Sequence, residues 1–201
     1  MPHIEIRPAV AGTEAAVGHT FTAGGDAASC QCQWWTVPMR EFRATTREDK
    51  TRMLHAELAA SPPPGLIALV DGTAAGWVRV GPRIRQPRLL RTRTGTASPA
   101  PKDAPDVWAI SCFSIRRAHR GLGLMRALID GAVDLARSHG ARAVEAYPVD
   151  PTVKHMPVND LYVGVLAPFL DAGFTEVGRT VPHRPVVSLT LADAPGDTVS
   201  G

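Results

Sequence analysis

Cysteine is scarce. Three residues in a chain of 201 are too few, and an odd number, for a disulfide framework. That points to a reducing compartment, so the expected location is the cytoplasm. No apolar run approaches the roughly 18 residues of a membrane span, which excludes a membrane role. The N-terminal MPHIEIRPAV lacks the basic stretch and apolar core of a secretory signal. Metal patterns are also missing. Cys30 and Cys32 form one C-x-C pair, with no second pair and no H-x3-H, short of the about four ligands of a closed zinc site. They read as pocket wall or packing, and Cys112, inside an apolar strand, as core. Charge of either sign is balanced to +3, too small an excess to choose between a phosphate-bearing ligand and nucleic acid.

The remaining composition, 44% hydrophobic and 20% charged, is that of a globular protein, and the length suits a single domain over residues 1–201. Ile4–Ala9 alternates as a strand, and Thr13–Thr20 and Arg47–Ala60 read as helices. Leu66–Val70 and Ala74–Val80 flank Asp71-Gly72, a hairpin signature. Gly81–Asp106, rich in proline and arginine, is expected as a long exposed basic loop. Val107–Ile115 is an apolar strand. Leu122–His139 is an amphipathic helix stopped by Gly140. Ala143–Tyr147 is a strand, Pro148–Asp160 a loop, and a short helix ends at Gly173. Thr175–Val181 and Pro185–Leu191 close the chain, with a frayed tail from residue 192. The fold class is α/β: a mixed, mostly antiparallel sheet with one parallel strand pair joined by a crossover helix.

The chemistry concentrates in Val107–Met125. A buried strand runs into Arg120-Gly121-Leu122-Gly123-Leu124-Met125, which opens the long helix. Free N–H groups at a helix start, with the dipole behind them, make an anion site. Gly121 and Gly123 allow close backbone approach, and Arg120, with Arg116 or Arg117, adds cationic donors. A tight turn with solvated arginines is the plainer reading of G-x-G. A dinucleotide fingerprint fails because Arg126 stands where its third glycine belongs.

Here the chain resembles the GNAT superfamily of N-acetyltransferases. Arg120–Met125 is similar to its acetyl-CoA motif [Q/R]-x-x-G-x-[G/A], with Arg120 first, Gly123 fourth and Met125 in place of the last small residue. Ile115 takes the place of the family's valine. Phe169-Leu-Asp-Ala-Gly173-Phe174 resembles its Y-x-x-x-G-F element. The resemblance covers about residues 4–191. Cys30-x-Cys32-x-x-Trp35, Pro63–Leu66, Gly76–Val78, Gly81–Arg83 and Glu145–Asp150 are further similar to a largely actinobacterial subgroup without an assigned substrate.

The resemblance implies acetyl-CoA as co-substrate and direct transfer to a primary amine, of a small molecule before a protein, in a ternary complex. The two central strands splay, and the pantetheine arm lies between them on backbone groups of Phe113 and Ile115. The diphosphate sits on Arg120, Gly121, Leu122, Gly123, Leu124 and Met125. Glu145, beside the slot, is the first candidate for the base that deprotonates the amine, with Asp150 and His155 behind it. Phe169 stands where the family's acid tyrosine is found, and Tyr162 is the remaining candidate acid. One or two of Trp34, Trp35, Trp77 and Trp108 can line the acceptor pocket; core is their default.

Two other readings stay open. One is a non-catalytic acyl-CoA-binding protein of this fold. The other is a nucleic-acid-binding protein using Arg83, Arg85, Arg88, Arg91 and Arg93, weakened because no aromatic residue interleaves with them. A homodimer is compatible with the sequence.

Overall fold

A computed structural model of the chain describes residues 2–22 and 25–191. The tail expected to fray, from residue 192, lies outside them. The elements in chain order are β1 (Ile4–Pro8), α1 (Glu14–Thr20), α2 (Gly25–Cys30), α3 (Met39–Ala44), α4 (Arg47–Glu57), β2 (Gly65–Val70), β3 (Thr73–Pro82), β4 (Val107–Ile115), α5 (Leu124–Ser138), β5 (Ala143–Ala146), α6 (Leu166–Asp171), β6 (Thr175–Val181) and β7 (Arg184–Thr190). The strands form one seven-stranded sheet in the order β1-β2-β3-β4-β5-β7-β6, antiparallel except for β4 and β5.

Local chemistry explains the frame. Asp71 and Gly72 both have positive φ, 48° and 80°, as a two-residue turn between twisted strands requires. Thr46 and Asp49 close a reciprocal capping box at the start of α4. α5 buries Leu124, Leu128, Ile129, Ala132, Val133 and Ala136 on one stripe. Gly131 lets it approach β1 and β2, since a Cβ there would lie 2.8 Å from Ile6.

The opposite face carries two clusters. Phe21, Leu54, Leu58 and Ile67 pack around Trp77 beneath α1 and α4. Trp35, Leu89, Tyr147, Val163 and Val186 form the other, toward β5 and β7. Trp77 and Trp108 are thus core, on opposite faces. α2 and α3 are additions the sequence reading lacked.

The segment 81–106 departs from the exposed loop expected of it. It folds back in three short 3-10 turns, and Arg83, Gln86 and Leu89 are buried. The glutamine donates to the Ala109 carbonyl at 3.1 Å, tying the segment to β4. Among the described residues no helix is long and apolar enough to cross a membrane.

Candidate active site

β4 and β5 pair over only four positions, Val107–Ile110 against Ala143–Ala146. The cause is local. The register of β3 on β4 shifts between Arg79↔Cys112 and Val80↔Ile110, so Ser111 is the extra residue of a bulge. Bulges bend the strand that carries them and interrupt the ladder. From Cys112 to Ile115, β4 pairs with β3 alone, while the chain after β5 turns away to bridge Val149 with Val165. The result is a fork. The Trp35 indole N–H donates to the Ser111 carbonyl at 3.0 Å. The buried Ser111 hydroxyl has no partner among the described residues.

Phe113 and Ile115 lie on the open limb of this fork, and the chain leaves it directly for the glycine turn. Gly121 and Gly123 adopt φ of 80° and 78°, and Gly123 caps α5 in the left-handed region with no side-chain cap. The first-turn N–H groups of Leu124, Met125 and Arg126 have no intrahelical acceptor and point outward. A Cβ built on Gly121 or Gly123 meets nothing within 4 Å, so open space lies beside both glycines of the turn. Arg120 is exposed beside them, its Nε 3.4 Å from the Ile115 carbonyl. Arg116 is committed elsewhere, donating to the His19 carbonyl and the Thr22 hydroxyl at 2.6 Å. Met125 is half-buried. Its methyl group lies so near Gly164 that a Cβ there would approach within 2.5 Å, and Phe113 and Phe169 are beside it. Its bulk therefore fills the core and leaves its backbone N–H in the turn.

Beside Trp35, which bonds to the bulge, is a cavity of about 310 Å³. Trp34, Trp35, Tyr147 and Tyr162 supply its aromatic walls. Arg88, Thr92, Thr94, His183 and Arg184 supply its polar ones. The β6–β7 turn brings the last two in, anchored where the Asp150 N–H donates to the His183 carbonyl at 2.9 Å. Arg88 lies 3.5 Å from the Trp34 ring centroid and donates to its carbonyl. Burial, above all, holds the His183 imidazole below its ordinary pKa, and Lys154 and Arg184 add repulsion. Burial also pushes the Tyr162 phenol up, partly offset by nearby Arg184.

The fork between the two parallel strands thus leads to a helix start built on two glycines. Residues 31–162 match the family model for the acetyltransferase (GNAT) family. The chain belongs to that family. No curated protein matches this acetyltransferase in sequence. Solved structures share its fold. The GNAT domain of a Streptomyces lividans protein, S. lividans PAT, is 18% identical, with TM-score 0.53 over 94% of this chain and 90% of that one. An N-acetyltransferase from Kribbella flavida is 20% identical, with TM-score 0.53 over 94% and 98%. A putative acetyltransferase from Salmonella typhimurium, solved with its cofactor acetyl-CoA, is 16% identical, with TM-score 0.54 over 98% and 99%.

Other candidate residues of the acetyltransferase lie apart from the cavity. Glu145 is on β5 as expected but buried, and its carboxylate accepts from Arg83 at 2.7 Å, Ser98 at 2.6 Å and Tyr147 at 2.7 Å. Asp150 is held by Thr152 and Arg179, which keep its pKa low. His155 is exposed on the loop. Phe169 is core, packed edge-on against Phe113 and Phe174. Cys32 is buried, its sulfur accepting from Trp77 and Arg79. No cluster of metal-ligand type occurs among the described residues. Of the five arginines in the segment, only Arg91 and Arg93 stand as plain exposed cations. Arg83 is buried, Arg85 donates to Ser61 and Pro62, and Arg88 lines the cavity. The sequence reading missed Arg88 as a cavity residue and His183 and Arg184 altogether. The one available signal was the turn between the last two strands, and nothing local says that it docks beside Asp150.

Proposed function

We propose that this acetyltransferase moves an acetyl group from acetyl-CoA to a primary amine of a small molecule, by direct transfer while both are bound. The observations that carry this are an open backbone limb that runs directly into an anion-binding turn, and a small cavity whose Trp35 wall bonds to the bulge at the base of that limb.

The site fits the co-substrate. The space facing Gly121 and Gly123, the unpaired N–H groups and Arg120 suit a diphosphate. Phe113 and Ile115 offer backbone groups to an amide-bearing arm. The orphaned Ser111 hydroxyl and the bulge suit an acyl end. A neighbour of the same fold was solved with acetyl-CoA, which supports the choice. Acetyl-CoA supplies a thioester, an acyl group ready for an amine to attack.

The protein's residues do the rest. A backbone N–H at the bulge polarises the carbonyl oxygen. The amine, with a free pKa near about 10, must lose a proton to attack. Glu145 is unsuited to take it, because three donors already occupy its carboxylate; we assign it to positioning Tyr147 and the 81–106 segment. His183 is the proton acceptor, reached from the amine through water: it lines the cavity beside Arg184, and its pKa is held below the ordinary imidazole value. Tyr162 stays protonated and donates toward the departing sulfur. A thiolate of pKa about 8.5 leaves readily near neutral pH, so this donation assists rather than governs the rate. Three free cysteines fit the reducing cytoplasm as its location.

The test is a panel of amines with acetyl-CoA, reading thiol release, beside a thermal shift with CoA. Thiol released only with amine present supports the reading. A thermal shift without turnover of any amine supports a non-catalytic CoA binder instead.

A further inference from the structure

The charge lining the cavity carries the next step, which rests on the amine-transfer reading above. We infer that the acceptor carries, besides its amine, an oxyanion, a carboxylate or phosphate, that Arg184 and Arg88 bind.

Arg184 and Arg88 place two guanidinium groups in the cavity wall, and among the described residues no aspartate or glutamate lines it. The carboxylates behind the wall are already neutralised. Glu145 pairs with Arg83, and Asp150 pairs with Arg179 at 3.0 Å. The arginines differ in the same way. Arg79, Arg83, Arg126, Arg137, Arg142 and Arg179 each hold a carboxylate. Arg184 is half-buried and has no carboxylate partner among the described residues; its neighbour is the Tyr162 phenol. Arg88 directs one Nη1 to the Trp34 carbonyl and faces the indole ring, leaving other N–H donors uncommitted. A half-buried guanidinium without a counter-ion is an anion-binding element, since charge-assisted hydrogen bonds there are stronger than neutral ones.

The two ends of the cavity also differ. Trp35 and Tyr147, the inner wall, are buried, and Trp35 bonds to the bulge of the fork. Arg88 and Arg184 are half-buried, at the outer end. An acceptor seated with its amine inward therefore presents its far end to the arginines. The aromatic walls between them suit a short apolar spacer. A volume of about 310 Å³ is near the lower end for small-molecule sites, about 300–1,000 Å³. The same positive field disfavours a protonated amine, which eases proton loss, and repels an acceptor with a second ammonium group.

The experiment compares matched acceptors in the wild-type protein by thiol release: 2-aminoethyl phosphate with 2-aminoethanol, and 4-aminobutyrate with 4-aminobutanamide, with spermidine as a cationic amine. We expect the anionic member of a pair to have about ten- to a hundredfold higher kcat/KM, the range of one or two charge-assisted hydrogen bonds. Arg184→Gln should level the pair, and Arg184→Lys should restore part of the difference, both with an unchanged acetyl-CoA thermal shift. A preference for the neutral member or for spermidine overturns the inference. So does an Arg184→Gln variant that weakens acetyl-CoA binding and leaves the pair ratio intact, because the arginine would then serve CoA. If none of these amines is turned over, the transfer reading fails for them, and tryptophan fluorescence decides the anion site separately. Saturable quenching by inorganic phosphate or succinate with CoA present, lost in Arg184→Gln, upholds it; no quenching ends it.

Discussion

Arg83 Nη1 lies 2.7 Å from Glu145 Oε2, with the two side chains 0% and 2% exposed, and this ion pair fastens the 81–106 segment to the centre of the sheet. Ser98 and the Tyr147 hydroxyl complete the shell of the carboxylate. Two charges out of water are tolerable together and costly apart.

Glu145→Gln should therefore cost stability before chemistry. Leaving Arg83 charged and unpaired costs about 3–5 kcal/mol. At about 2–4 °C per kcal/mol for this size, the melting temperature should fall by roughly 6–20 °C. Below that melt, kcat should stay within about fivefold of wild type, whereas removing a general base costs about 10²–10⁴. A calorimetric scan and a rate measured at low temperature distinguish the two. An unchanged melt with a hundredfold lower rate would return Glu145 to the role of base.

The glycine turn should control co-substrate binding. A ligand bound only to the folded state raises the melting temperature. Arg120→Ala should shrink the acetyl-CoA shift. Gly123→Val should abolish it, because a branched side chain is added to the turn and the backbone there is left-handed. A full shift in Gly123→Val would place the diphosphate elsewhere.

His183 should set the acidic limb of the pH profile. Its pKa is lowered, first by burial and then by Lys154 and Arg184, so the imidazole is neutral and able to accept a proton above a pKa below 6.5. Rate should be lost as pH falls through that value and be flat above it until other groups titrate. His183→Gln should remove the limb and lower kcat/KM by about 10²-fold. Persistence of the limb in the variant would assign the proton to another group or to water.

Tyr162→Phe should lower kcat by less than about 30-fold and leave the acetyl-CoA KM unchanged, since the thiolate leaves readily without help. A collapse of kcat in stopped-flow transfer, with binding intact, would make Tyr162 the obligatory acid.

Much of this was legible in order along the chain. The bounds of β4 and β6 agree with their hydrophobic runs, and the Asp71-Gly72 turn, the α5 stripe and the Gly121–Gly123 start follow from local rules. Backbone geometry is a property of neighbours in sequence, so glycines, caps and periodicity report it directly. The segment 81–106 was misjudged because proline and arginine signal a loop without saying whether another element will cover it.

What the sequence by itself determined is the frame and the anion-binding turn, because both depend on residues a few positions apart. Only the tertiary structure decided which charged groups face the cavity. Glu145 is consumed by Arg83, 62 residues away, while Arg184 reaches the cavity because the β6–β7 turn lies beside Asp150, past the end of β5. Charge and burial depend on partners distant in the chain, and pairing, not residue type, sets whether a carboxylate can accept a proton or an arginine can hold a ligand.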